Sequence, residues 1–335
     1  MATSLPEETS SLTQGSADRL RELAGLFEGF LNDRILEMIR ERAVPQTAEP
    51  VIYSLTAGGK RIRPALCLLT AGIPPGVSHA RGDASEGDST AAYLERALFA
   101  GAALECIHTY SLIHDDLPPM DDDSLRRGRP SNHVQYSEWA AILAGDALNT
   151  LAFELAARTS PEGESPARLI EILAQGSGLG GMICGQALDL HAEKQGERPG
   201  DSASERALLE EIHRKKTGAL LRASCEMGAV IAGAADTAPY AEYGAKLGLL
   251  FQISDDLLDE TGDARALGKT AGKDRESGKL TYPYLYGLQE SREKARALCE
   301  ELIALADKLE PGPRAPGDNR RVLAGLPVLI RDRDR

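Results

Sequence analysis

Six aspartates stand in two clusters of similar form: Asp115-Asp116 followed by Asp121, and Asp255-Asp256 followed by Asp259. In the second cluster Asp255 and Asp259 are i and i+4, so on one helix their carboxylates share a face. In the first, the longer spacing rotates Asp121 away from Asp115 on an ideal helix. Pro118 and Pro119 remove amide donors there and break the helical course, which lets the chain bring Asp121 back toward Asp115. Like charges crowded beside apolar text need a compensating cation. An all-oxygen set without cysteine or patterned histidine selects a hard ion, Mg²⁺ or Mn²⁺. Asp115, Asp116, Asp121, Asp255, Asp256 and Asp259 are therefore the candidate metal ligands. One acidic run would more simply be a solvated helix end; two runs, each closing an apolar helix, argue for the metal. An EF-hand is excluded, because counting from Asp121 the sixth position is Arg126 rather than glycine and the twelfth is Asn132 rather than glutamate.

Cations are interleaved with these acids. Gly58-Gly59-Lys60-Arg61-Ile62-Arg63-Pro64 opens a helix after two glycines, where backbone amides and side-chain charges can both meet an anion. Arg126-Arg127-Gly128 follows the first cluster. Lys215-Lys216-Thr217 lies in a helix that turns apolar after Gly218, and Gly268-Lys269-Thr270 and Gly278-Lys279 follow the second cluster. Each basic pair alone is what a solvated surface carries. Their alternation with the aspartates suits a phosphorylated ligand held partly through metal. A P-loop is excluded, since Asp263 stands where its first glycine belongs and a helix rather than a strand precedes it.

Helices must position these groups. The text is rich in Ala, Leu, Gly and Glu, and shows no alternating Val/Ile/Thr strand pattern. Asp18–Arg42 reads as an amphipathic first helix with Leu20, Leu23, Phe27 and Phe30 on one side. Leu94–Leu117, Trp139–Ala157 and Tyr240–Leu258 are apolar nearly all round, which places them in the middle of an all-α bundle. Two of these three end in the aspartate clusters. Loops are expected at Gly72–Thr90, Thr159–Ala167, Glu193–Ser204, Thr261–Gly278 and Glu310–Asn319. None resembles a linker, so 16–335 is expected to be a single domain of ten or more helices behind a mobile segment, 1–15. The formal charge of -13 argues against nucleic acid and anionic membranes as partners. No apolar run free of charge is long enough to span a membrane. The five dispersed cysteines read as reduced core thiols of a cytoplasmic protein.

Taken together, GGKRIRP, SLIHDDLPPMDDDSLRRGRPSNH, Gly145-Asp146-Ala147-Leu148, Gly185-Gln186-Ala187-Leu188-Asp189, KTG and FQISDDLLD resemble the trans-isoprenyl diphosphate synthases, or polyprenyl synthetases. The short-chain bacterial farnesyl and geranylgeranyl diphosphate synthases are the nearest members. The resemblance runs from about Gly58 to Pro283. It implies helices around a deep central cavity, a homodimer, and head-to-tail condensation of isopentenyl diphosphate with an allylic diphosphate. It implies Mg²⁺ as cofactor, about three ions once substrate is bound. Asp115, Asp121 and Asp255 are the implied principal metal carboxylates. Lys60, Arg63 and Arg127 match the isopentenyl diphosphate site, and His79 is the histidine available in the loop where the family completes that site. Arg126, Lys216, Thr217, Gln252, Lys269 and Lys279 match the allylic diphosphate site. Asp115, Asp121, Asp255, Lys216, Lys269 and Arg126 are the implied catalytic set, while His108, His114 and His213 read as structural.

Product length should depend on what floors the cavity beneath Asp115. Tyr110 and Ser111 lie about one helical turn earlier, and a bulky tyrosine would stop the growing chain at farnesyl diphosphate, with geranylgeranyl diphosphate the alternative. A cyclase would not need Lys60, Arg63 and Arg127. A non-catalytic partner subunit would show eroded aspartates or arginines, and none is eroded here.

Overall fold

The computed structural model describes residues 7–78, 89–159, 166–194, 202–261 and 280–332. Apolar residues at helical spacing build nearly all of it. α1 (Glu7–Phe30) runs through a wide π-type turn at Leu31–Ile35 into α2 (Leu36–Arg42). This helical unit begins at Glu7 rather than at the expected Asp18, inside the stretch read as a mobile end. α3 (Pro45–Leu55) opens on a proline, whose missing amide costs nothing in a first turn. α4 (Ile62–Thr70) and α5 (Ser89–Asp115) follow.

After α5 comes a minimal antiparallel hairpin, β1 (Leu125–Arg126) paired with β2 (Arg129–Pro130). Its turn residues Arg127 and Gly128 both have positive φ, 53° and 75°, as the tight mirror-image hairpin turn requires. A two-residue strand leaves no alternation for a sequence reading to detect. The remaining elements are α6 (Asn132–Gln135), α7 (Glu138–Ala157), α8 (Ala167–Ser177), α9 (Met182–Lys194), α10 (Ser202–His213), a second π turn at Arg214–Gly218, α11 (Ala219–Ile231), α12 (Ala238–Thr261), α13 (Tyr282–Ala306) and α14 (Arg320–Arg331).

One continuous hydrophobic core draws on residues from Leu23 to Val328. α5 is its axis, packing against α1, α3, α4, α7 and α11. Leu94, Ala97, Leu98, Ala100, Ala103, Leu104 and Ile107 are buried around its whole circumference, as its unbroken apolar text predicted. α7 departs from that expectation. Ala141, Ala144, Leu148, Ala152 and Leu155 face the core, but Trp139, Ile142 and Leu143 are 60%, 44% and 49% exposed. Its high hydropathy therefore reflects two apolar faces, one packed and one open. Among the described residues it is the one helix long and apolar enough, by length and composition, to cross a membrane.

Candidate active site

α5 ends at Asp115, and the two prolines do what their chemistry demands. The chain turns through Met120, and the Asp121 amide donates to the Asp115 carbonyl at 2.9 Å, closing the loop that returns the third aspartate to the first. Asp122 takes φ +52° to complete the turn. Burial pushes the Asp115 carboxyl up to about 7. Nearby Lys216 and Arg126 oppose that rise, while Asp121 and Asp116 add to it. Asp116, expected among the metal ligands, is instead 2% exposed and turned to Arg126. Arg126 Nε donates to its Oδ1 at 2.9 Å, Nη2 donates to the same oxygen, and Nη2 also reaches Asp123 at 3.4 Å. The middle aspartate is thus a tether for the hairpin that carries Arg126 and Arg127.

The turn before α4 is left-handed at Gly58, Gly59 and, unusually for a side-chain-bearing residue, Arg61 (φ +48°). What holds Arg61 there is a buried ion network. Its Nε donates to Glu28 at 2.6 Å, Nη1 to Glu105 at 2.6 Å, and Nη2 to the Leu55 carbonyl at 2.7 Å. This sends Lys60 to solvent and Arg63 inward. Burial lowers the Arg63 guanidinium to about 10, and its Nε has no hydrogen-bond partner. Arg127 lies over Gly59, where any Cβ would collide with its guanidinium, and donates to the Gly58 carbonyl. His108, read from the sequence as structural, joins this group. Burial, then the charges of Arg63, Arg127, Arg61 and Arg126, hold its imidazole well below the usual histidine range, so it is neutral.

The wide turn at Arg214–Gly218 carries Lys216 and Thr217 and is gripped from two sides. A Cβ on Gly185 of α9 would strike the Lys216 backbone, and one on Gly248 of α12 would strike Gly218. π turns of this kind recur at functional sites. On the α9 side, Lys216 Nζ pairs with the buried Asp189 at 2.6 Å. On the α12 side, Thr217 Oγ1 donates to Gln252 Oε1 at 3.0 Å, and Gln252 Nε2 donates to Asp255 Oδ2 at 3.4 Å. Asp256 faces another way: it accepts the Tyr282 amide at 2.9 Å and lies 3.8 Å from His213. Like Asp116, this middle aspartate acts as a tether, here for the start of α13.

These elements enclose a cavity of about 580 Å³. Arg63, His108, Asp115, Lys216 and Thr217 line it together with Tyr110, Ser111, Met182, Ile183 and Gln186. Tyr110 is 6% exposed, and its hydroxyl has no hydrogen-bond partner. Burial, with Asp115 adding to it, pushes that hydroxyl up to about 12. Gln186 also borders the cavity with both amide atoms unpartnered. Gln186 and Asp189 were visible in the motif Gly185–Asp189, but nothing in their spacing indicated that one faces the cavity and the other holds Lys216.

The donor set fits a hard cation. Asp115 and Asp121 are oxygen donors joined by one closed turn, and the Asp115 carboxyl is raised by burial first and by Asp121 and Asp116 after it, so a cation there would favour its charged form. Among the described residues no three acidic, histidine or cysteine side chains converge into a complete cage. His79, Lys269 and Lys279 lie outside the described residues.

The sequence profile of the polyprenyl synthetase family matches residues 44–311. The farnesyl diphosphate synthase of Escherichia coli K12 is 47% identical over 261 residues, covering 76% of this chain and 79% of that protein. Geranylgeranyl pyrophosphate synthase 11 of Arabidopsis thaliana, a chloroplastic protein, is 45% identical over 273 residues, covering 78% of this chain and 71% of its own. Among solved structures, a geranyltransferase from Helicobacter pylori, complexed with magnesium and isoprenyl diphosphate, superposes with a TM-score of 0.72. It is 32% identical and covers 98% of this chain and 99% of its own.

Proposed function

The chain belongs to the polyprenyl synthetase family and is a prenyltransferase, and from that premise we propose that it condenses isopentenyl diphosphate with dimethylallyl and geranyl diphosphates to give farnesyl diphosphate. The observation that carries this reading is the cavity, which charged residues Asp115, Lys216 and Arg63 line together with Tyr110, about one turn before Asp115 on α5.

Asp115, Asp121 and Asp255 would hold Mg²⁺, which supplies positive charge to the leaving diphosphate. Lys216 and Arg126 bring fixed charge to the same end of the cavity, so the allylic C–O bond breaks with its electron pair on the diphosphate oxygen. The Thr217 hydroxyl and the Gln252 amide oxygen offer dipoles to the allylic cation left behind. Lys60, Arg63 and Arg127 hold the second diphosphate. His108, neutral and beside Arg63, adds a hydrogen-bonding group and is a stronger candidate than His79 to complete that site. The fixed isopentenyl double bond then attacks the cation, and the released pyrophosphate takes the proton. Holding both reactants together supplies much of the acceleration.

Tyr110 stops the chain, so Tyr110→Ala should lengthen the product by at least one isoprene unit. The open apolar face of α7, with Trp139, Ile142 and Leu143, fits a second copy of the chain, and we assign a homodimer to it. The single core that runs through the described residues supports reading 16–335 as one domain. The free thiols, four of them buried, fit the reducing cytoplasm. The test is incubation with Mg²⁺, isopentenyl diphosphate and each allylic diphosphate in turn, followed by product chain-length analysis. Farnesyl diphosphate is expected. Geranylgeranyl diphosphate would overturn the assigned length, and no condensation at all would overturn the activity in favour of a non-catalytic subunit.

A further inference from the structure

Tyr110, assigned above as the chain stop, lines the cavity without a hydrogen bond to fix it. Tyr110 is buried, yet its hydroxyl is unpartnered, so the direction of its ring rests on packing. Its aromatic neighbour is His114, one turn further along α5 and therefore on the same face. The two rings meet edge to face, with centroids 5.6 Å apart and planes at 81°. His114 is in turn fixed by α7. Its Nε2 lies 3.1 Å from the Ile142 carbonyl, an acceptor only, so Nε2 carries the proton and donates it. The imidazole also occupies the place a side chain at residue 145 would fill. A Cβ on Gly145 would sit 2.1 Å from Nε2 and 2.5 Å from Cδ2. His114 itself borders the cavity with Tyr110 and Ser111.

We infer that His114, clamped between the Ile142 carbonyl and Gly145, is a positioning residue that holds Tyr110 as the floor of the cavity and so sets product length. This rests on the reading of Tyr110 as the chain stop. It assigns His114 a place in specificity rather than in proton transfer, and it makes α7 part of the length-setting device.

The two sides of the clamp should move the product in opposite directions. His114→Ala empties the slot beside Gly145, Tyr110 loses its edge contact and turns into the space, and the cavity deepens. The main product should then be one isoprene unit longer than wild type, with the KM for the allylic diphosphate little changed. Gly145→Ala fills the slot and expels the imidazole toward Tyr110, so the main product should shorten by one unit. His114→Gln can still fill the slot and donate to Ile142, and should retain the wild-type product. Product profiles are read on the residual activity of each purified full-length variant, with circular dichroism as the check on folding. Tyr110→Ala is the control for the underlying reading. If it leaves the product unchanged, the floor assignment fails and this inference fails with it. If Tyr110→Ala lengthens the product while folded His114→Ala and Gly145→Ala keep the wild-type profile, the floor assignment stands and the clamp is overturned. Should Gly145→Ala not fold, the contrast between His114→Ala and His114→Gln decides alone: equal profiles overturn the clamp.

Discussion

The two aspartate clusters read alike as sequence but are built differently. In the first, a broken helix and a closed turn bring Asp121 to Asp115, and the middle residue, Asp116, is buried against Arg126. In the second, the helix continues unbroken through Asp255 and Asp259, and the middle residue, Asp256, accepts a backbone amide from Tyr282. Both clusters thus combine outer carboxylates that can face a ligand with an inner one that ties down a neighbouring segment. They differ in what is tied. Asp116 secures a charged hairpin through an ion pair, whereas Asp256 secures the start of a helix through a neutral donor. Repetition of a motif does not imply repetition of every residue's task.

The largest effect should separate outer from inner positions. Asp115→Ala combined with Asp121→Ala, and Asp255→Ala alone, should each lower kcat by roughly 10³-fold or more while the fold survives, because charge stabilisation of the leaving group is lost. Steady-state assays and thermal melts on the same preparations check this. Normal turnover in the double variant would break the comparison at its base.

Next come the inner residues. Asp116→Asn leaves the Arg126 guanidinium short of its counter-charge and should cost about 3–5 kcal/mol of stability. Asp256→Asn keeps an acceptor for the Tyr282 amide and should cost only about 1 kcal/mol. Urea unfolding measures both. Equal losses would mean that the two tethers do the same job.

A further test concerns pH. The Asp115 carboxyl is raised to about 7 by burial, then by Asp121 and Asp116, against the pull of Lys216 and Arg126. In the metal-free protein the folded state then binds more protons than the unfolded chain between about pH 4 and 7. Stability from this group is complete at the acid end and is lost as pH rises through about 7. Mg²⁺ must displace that proton, so its affinity should weaken by about tenfold per unit below pH 7. Calorimetric Mg²⁺ titrations at several pH values, alongside metal-free melts, test both signs. An affinity flat between pH 6 and 8 would remove Asp115 from the metal set.

Much of this was legible in the residues themselves. Unbroken apolar text identified α5 and α12, and Pro118-Pro119 foretold the return of Asp121. Other features depend on distant partners and leave no local trace. The direction of Asp116 is decided by Arg126 ten positions later, through a hairpin too short to show a pattern. His108 belongs to the arginine group because α4 and the hairpin converge on α5, which spacing alone does not reveal. The open face of α7 escaped notice because Trp139, Ile142 and Leu143 are as apolar as the buried face opposite.

The wide turn at Arg214–Gly218 has a consequence for how this enzyme can change by insertion and deletion. An α-helical turn advances about 100° per residue, so a turn closed over five residues holds one more than the helix around it needs. Deleting a single codon there would leave an ordinary, continuous helix from Ser202 to Ile231, acceptable to every propensity rule. It would also swing everything upstream of the deletion by about 100° relative to α11, parting Lys216 from Asp189 or Thr217 from Gln252. Chain length, more than residue type, is what this turn must preserve.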